Sequence, residues 1–165
     1  MSTNLTVLTL AQVEANNLAQ LVDEFRGLIA ASSHAHDPAV ARLTPDVYPG
    51  DSEASAAFAQ STRAELLDRR EQDAAQVRDA LEAFATDTDT DHHDTDAPDP
   101  YEQVRVVISE TELPAWLRTL AAIRLVLASR LGIIDDDDHE PDDPRYLVYD
   151  WLGYRLEGLV TAHHD

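Results

Sequence analysis

His34 and His36 stand two positions apart beside Asp37. Neutral imidazoles and a carboxylate are the donors that zinc, manganese and iron accept, so the trio is a candidate for metal-dependent chemistry. In metal hydrolases an H-x-H pair closes a barrel strand, and this sequence has no strand series to supply one. The other reading makes them solvent-exposed polar residues between two helices. Asp87, Asp89 and Asp91 have the first three ligand spacings of a calcium loop. However, His92 falls where glycine is required and Pro98 where a bidentate glutamate is required. His92-His93 and His163-His164 lie in an acidic stretch and near the last residue, with no fixed neighbours to orient a ligand. His139-Glu140 lacks the second histidine four residues on that a helical zinc site needs.

Other chemistries are set aside by residue type. There is no cysteine, hence no thiolate metal site or thiol nucleophile. No G-x-S-x-G elbow is present, and no glycine-rich phosphate cradle followed by lysine. No cofactor is expected. The 12 basic residues are all arginine, against 32 acids, a formal charge of −20. The densest basic cluster, Arg63, Arg69 and Arg70, is interleaved with Glu65, Asp68 and Glu71. That arrangement disfavours direct nucleic-acid binding by a monomer, because affinity for phosphates needs clustered positive charge.

The surplus acid is concentrated in two stretches. Residues 86–102 and 134–143 are each rich in aspartate and contain no base. Runs of like charge without apolar residues stay solvated, so both read as mobile loops within a single domain spanning 1–165. What remains is only mildly acidic.

Between these stretches the periodicity is helical. Leu5 to Leu8 alternates like a short strand. Thr9 and Gln12 have capping-box spacing, and Val13, Leu18, Leu21, Val22, Phe25, Leu28 and Ile29 form an apolar stripe to about Ala31. Asp37-Pro38 starts a short helical turn through Leu43. A second long helix runs from Asp51 or Ser52 to about Ala85, with Phe58, Leu66, Ala74, Val77, Leu81 and Phe84 as its apolar positions. Val104 to Ile108 is β-branched and brief, and pairing with Leu5 to Leu8 would give both segments a partner. Ser109 and Glu112 again have capping-box spacing, with Thr111 as the alternative cap. Leu113, Trp116, Leu117, Leu120, Ile123, Leu127 and Leu131 make a strong stripe stopped by Gly132. Asp143-Pro144 begins a last helix with Val148, Trp151, Leu152, Leu156, Leu159 and Val160 on its apolar face. The expected class is mainly α: a compact bundle of about four helical regions with a small two-stranded β pairing.

Three groups of segments carry a resemblance. They are Asp37 to Tyr48; Ser109-Glu110 through Trp116-Leu117 and Ile123 to Leu127, on to Arg130 to Ile133; and Tyr149 to Leu152 with Leu156 to Val160. In order and spacing they resemble an actinobacterial family of small acidic helical proteins catalogued as a domain of unknown function. The chain departs from that family at its start and in its enlarged Thr/Asp stretch. The resemblance implies no catalytic residue. It implies genes commonly encoded near that of the Clp protease adaptor, and some family members carry a transcriptional-regulator label.

The sequence therefore favours a cytoplasmic regulatory or adaptor-like protein that binds a protein partner of basic character, rather than an enzyme. No run of apolar residues is long enough to span a bilayer, and no secretory leader is visible in Met1 to Leu10. The partner-binding candidates are Tyr48, Tyr146 and Tyr149, expected exposed beside loops, and Asp135, Asp136, Asp137 and Asp138. A transcriptional regulator and a metal-dependent enzyme using His34, His36 and Asp37 are the alternatives.

Overall fold

The computed structural model describes residues 4–31, 37–44, 52–89, 99–134, 139–140 and 142–164, with side chains of the long helix described from 62 to 82. Strand β1 (Leu5–Ala11) leads directly into α1 (Gln12–Ala30). The short α2 (Pro38–Leu43) and the long α3 (Ser52–Asp89) follow. Strand β2 (Gln103–Ser109) precedes α4 (Leu113–Leu131), and a 3-10 turn (Pro144–Tyr146) leads into α5 (Leu147–His164). The expected mainly helical class and the pairing of its two brief apolar segments are both present.

β1 and β2 are antiparallel, with Leu5 opposite Ser109, Val7 opposite Val107 and Ala11 opposite Gln103. Alternation sends Leu8, Leu10, Val104, Val106 and Ile108 into the core and leaves Leu5, Val7 and Val107 outside, as a period-two element requires. Each strand is longer than its apolar core suggested. Because β1 continues to Ala11, Thr9 lies in the strand and cannot cap α1. The Glu14 carboxylate instead accepts from the Ala11 N–H at 3.0 Å. Two more free N–H groups of the first turn, those of Gln12 and Val13, donate to the carbonyls of Glu102 and Pro100 at 2.8 Å each.

Residues at the edges of both acidic stretches belong to the described fold. α3 continues to Asp89, and Asp99 to Glu102 fold against the start of α1. At the second, His139 is packed against the protein. Asp143 caps the turn that follows, accepting from the Arg145 N–H at 3.0 Å.

α4 is the central helix, packed by α2, α3 and α5, while α1 lies mainly on α3. Its burial therefore extends beyond one stripe: Leu113, Trp116, Leu120 and Ile123 are buried, and so are Ala115, Thr119, Ala122 and Ala128. Reciprocal bonds between Ser109 and Glu112 close the turn before it: Ser109 N–H donates to Glu112 Oε2 at 3.0 Å, and Glu112 N–H to Ser109 Oγ at 3.3 Å. Gly132, at φ 72°, ends it. Ile133 N–H donates to the Ala128 carbonyl at 2.9 Å while its side chain is buried, the arrangement expected when a helix stops at a left-handed residue.

Three stripes need correction. Leu67, not Leu66, joins Ala74, Val77 and Leu81 in the core; Phe58 and Phe84 lie outside the described side chains. Val13 is on the surface of α1. In α5, Leu152 and Leu159 are buried as expected, but Val148 and Val160 are exposed and Tyr149 is buried. α5 packs mainly on α4, which leaves its other side open among the described residues.

Candidate functional site

Of the residues singled out from the sequence, His34, His36, Tyr48, Asp135, Asp136, Asp137 and Asp138 lie outside the described residues. Asp37 is fully engaged. Its Oδ1 accepts from the Ala39 N–H at 2.9 Å and from Arg130 Nη1 at 2.8 Å, and its Oδ2 accepts from Arg130 Nη2 at 2.6 Å. The Arg130 hydrogen bonds, opposed by partial desolvation and helped by the helix N–H groups, hold this carboxyl below its usual range. Among the described residues no group of three or more metal-ligating side chains converges.

Tyr149 does not stand free beside a loop. It is 4% exposed, with the Arg124 guanidinium 3.9 Å over its ring and the His139 ring edge-on at 5.7 Å. Half-buried Tyr146 lies 4.5 Å from the same imidazole, whose Nε2 is 2.7 Å from Asp150 Oδ1. The pair thus forms a small apolar cluster with Ala128 and Ile133. Tyr101 and Tyr154 are instead the exposed tyrosines among the described residues.

The charges between Arg63 and Asp79 alternate in sign, which reads as a solvated face with weak local pairs. They pair across helices. Glu71 binds Arg26 of α1 at 2.7 Å, Arg78 binds Asp23 of α1 at 2.9 Å, and Asp73 takes both Nε and Nη2 of Arg118 on α4 at 2.8 and 2.9 Å. Of the acids interleaved with the arginine cluster, Glu71 is thus drawn away to α1. Arg70 is left with the Leu43 carbonyl, to which Nη2 donates at 3.3 Å. Its Nε is buried with no acceptor among the described residues. Burial lowers its pKa, with the charge of Asp73 acting in the opposite sense. Arg69, Arg70, Arg118 and Asp73 line a cleft of about 650 Å³ between α3 and α4, closed on its apolar side by Leu66 and Leu125.

A second concavity, about 410 Å³, runs between α1 and α5. Leu21, Leu147, Val148 and Trp151 form its apolar surface, and Glu14 and Glu24 contribute its carboxylates. Leu147 is 63% exposed. Glu14 is held rigidly there, accepting from Trp151 Nε1 at 3.1 Å and from Arg155 Nη2 at 2.9 Å. Burial opposes its ionisation more than any other single influence. The Ala11, Trp151 and Arg155 donors together outweigh that and lower its pKa.

Sequence reading missed both concavities. The signals were slight: two alanines, Ala121 and Ala122, inside the leucine-rich stripe of α4, and Leu147-Val148 directly after a proline-led turn.

Fold and site together define a mainly helical protein with a two-stranded antiparallel sheet and surface concavities that include a cationic one and an apolar one with acidic edges. The chain belongs to the family described as Domain of unknown function (DUF2017), which matches residues 2–163. No curated protein and no solved structure matches it. Among the described residues no helix is long and apolar enough to cross a membrane.

Proposed function

We propose that the protein is a cytoplasmic, regulatory or adaptor-like component that acts by binding another protein rather than by catalysis. The observation that carries this reading is the surface between α1 and α5. Leu147 and Val148 are exposed beside the half-buried Trp151 and Leu21, and carboxylates border the apolar patch. Trp is enriched at interface centres, and apolar surface edged by charge suits a partner segment with apolar anchors and flanking basic residues. A net charge of −20 would speed encounter with such a partner and make binding salt-sensitive. The gene neighbourhood near a Clp protease adaptor, implied by the actinobacterial resemblance, fits the same role.

Because Leu147 and Val148 are exposed, Leu147→Asp and Val148→Asp should leave the fold intact. Tagged wild-type protein should capture a basic partner from lysate at low salt and less of it at moderate salt, identified by mass spectrometry, and both variants should lose it. Recovery of no partner at either salt, or undiminished capture by both variants, would overturn the reading.

The arginines of the α3–α4 cleft favour a second reading, a transcriptional regulator. Against it stand the cleft's short, concave form and its internal Asp73, whereas a duplex needs extended positive surface. A gel shift with promoter fragments that stays flat at low salt would dispose of it.

A further inference from the structure

The cleft between α3 and α4 holds charge that the fold itself does not use. Its single carboxylate, Asp73, is taken by Arg118 in a two-pronged contact. That leaves Arg69 and Arg70 without an ion-pair partner among the described residues. Arg70 is half-buried: its Nη2 donates to the Leu43 carbonyl at 3.3 Å, and its Nε, like those of Arg63 and Arg155, is buried with no acceptor among the described residues. In a chain of charge −20 there is abundant carboxylate to quench two arginines, and the nearby Glu71 is committed instead to Arg26.

We propose that this cleft binds a small organic oxyanion, a carboxylate or phosphate held by Arg69 and Arg70, with an apolar body resting on Leu66 and Leu125. Guanidinium groups present planar, paired donors matched to such oxyanions. The volume of about 650 Å³ lies within the range of small-molecule sites, which combine apolar walls with a few placed polar groups. Asp73 repels an oxyanion from the Arg118 side of the cleft. The cleft shares no lining residue with the α1–α5 surface, so this site stands independently of the protein-binding role.

The test uses the full chain with four probes: hexyl phosphate, hexanoate, neutral hexanamide and inorganic phosphate. Calorimetry measures affinity, and the NMR signals of the arginine Nε–H groups report the site. The expected result is saturable binding of at least one hexyl anion, about tenfold or more tighter than hexanamide, with a shifted Arg69 Nε–H signal. The tighter of the two hexyl anions identifies the oxyanion. Arg69→Gln, at an exposed position, should weaken binding about tenfold. Arg70→Lys should also weaken it, since charge is kept but the paired donors are lost. Thermal melts confirm that each variant is folded. The proposal is overturned by equal binding of hexanamide, by no saturable binding of either anion, or by unchanged affinity in folded Arg69→Gln. It is likewise overturned if inorganic phosphate binds as well as the hexyl anions, or if a DNA duplex displaces hexyl phosphate from the cleft.

Discussion

Thr119 buries its hydroxyl, 2% exposed, with no hydrogen-bond partner among the described residues. A buried hydroxyl that gives up water for nothing costs about 1–3 kcal/mol, and valine has nearly the same shape without the polar atom. Thr119→Val is therefore expected to raise stability by about 1 kcal/mol, read as a higher midpoint in urea. A lower midpoint would mean that the hydroxyl has an acceptor. Arg124 illustrates the opposite economy at this scale. Its guanidinium lies over the Tyr149 ring because Gly153 leaves room: a Cβ there would come within 2.9 Å of Arg124 Nε. That packing explains why Tyr149, which looks from the sequence like an exposed aromatic beside an acidic run, is buried. A cation placed over a ring is worth about 1 kcal/mol or more when desolvated, but its location depends on a glycine four residues further on and an arginine one helix back. No local pattern encodes that.

At the scale of elements, the Ser109–Glu112 turn joins the end of β2 to the central helix. Ser109 Oγ donates to Glu112 Oε2 at 2.8 Å and accepts from the Glu112 N–H, so Ser109→Ala removes both. A loss of about 1 kcal/mol is expected, measured by thermal or urea unfolding; an unchanged midpoint would show that Thr111 takes over the cap. This turn was legible in the sequence because capping is written in residue types at fixed spacing. So were the Asp37 and Asp143 caps, the Gly132 stop, the alternation of the first strand and the β-branched run of the second. Register and helix neighbours were not. The start of α1 is capped by carbonyls from Pro100 and Glu102, nearly ninety residues away, and backbone acceptors leave no mark on composition. The charges of α3 misled for a related reason. Local pairs four residues apart are worth only about 0.2–0.5 kcal/mol, too little to hold Glu71 or Asp73 once a facing helix offers an arginine. The α3–α4 cleft arises from those cross-helix choices, which is why the arginine cluster read as neutralised along the chain yet emerges unpaired in the fold.

For the whole molecule the dominant electrostatic fact is a net charge of −20, which opposes compaction. The ion pairs that tie helices together, such as Arg26–Glu71 and Arg118–Asp73, are partly exposed, and each contributes at most about 1 kcal/mol. Salt screens both effects, but it acts on far more repulsive than attractive pairs. Raising salt from low to physiological strength is therefore expected to increase the melting temperature, and a decrease would show that the ion pairs dominate. Acid acts through a different set of groups. The Glu112 carboxyl is held below its usual range first by the Ser109 backbone N–H and then by its hydroxyl, and that of Asp143 first by Arg145. Asp37 and Glu14 are lowered as well. A carboxyl with a lower pKa folded than unfolded stabilises the native state above its unfolded value, about 4. It loses that contribution as pH falls through the folded value. From these four groups, the fall in stability is expected below about pH 4, with no loss between neutral pH and 5. Glu112→Gln keeps an acceptor for the Ser109 groups but no longer titrates, so its melting temperature should decline less steeply over the same acid range. A wild-type curve flat to pH 3, or a variant curve parallel to wild type, would show that these capping and bridging carboxylates do not set the acid limit of the fold.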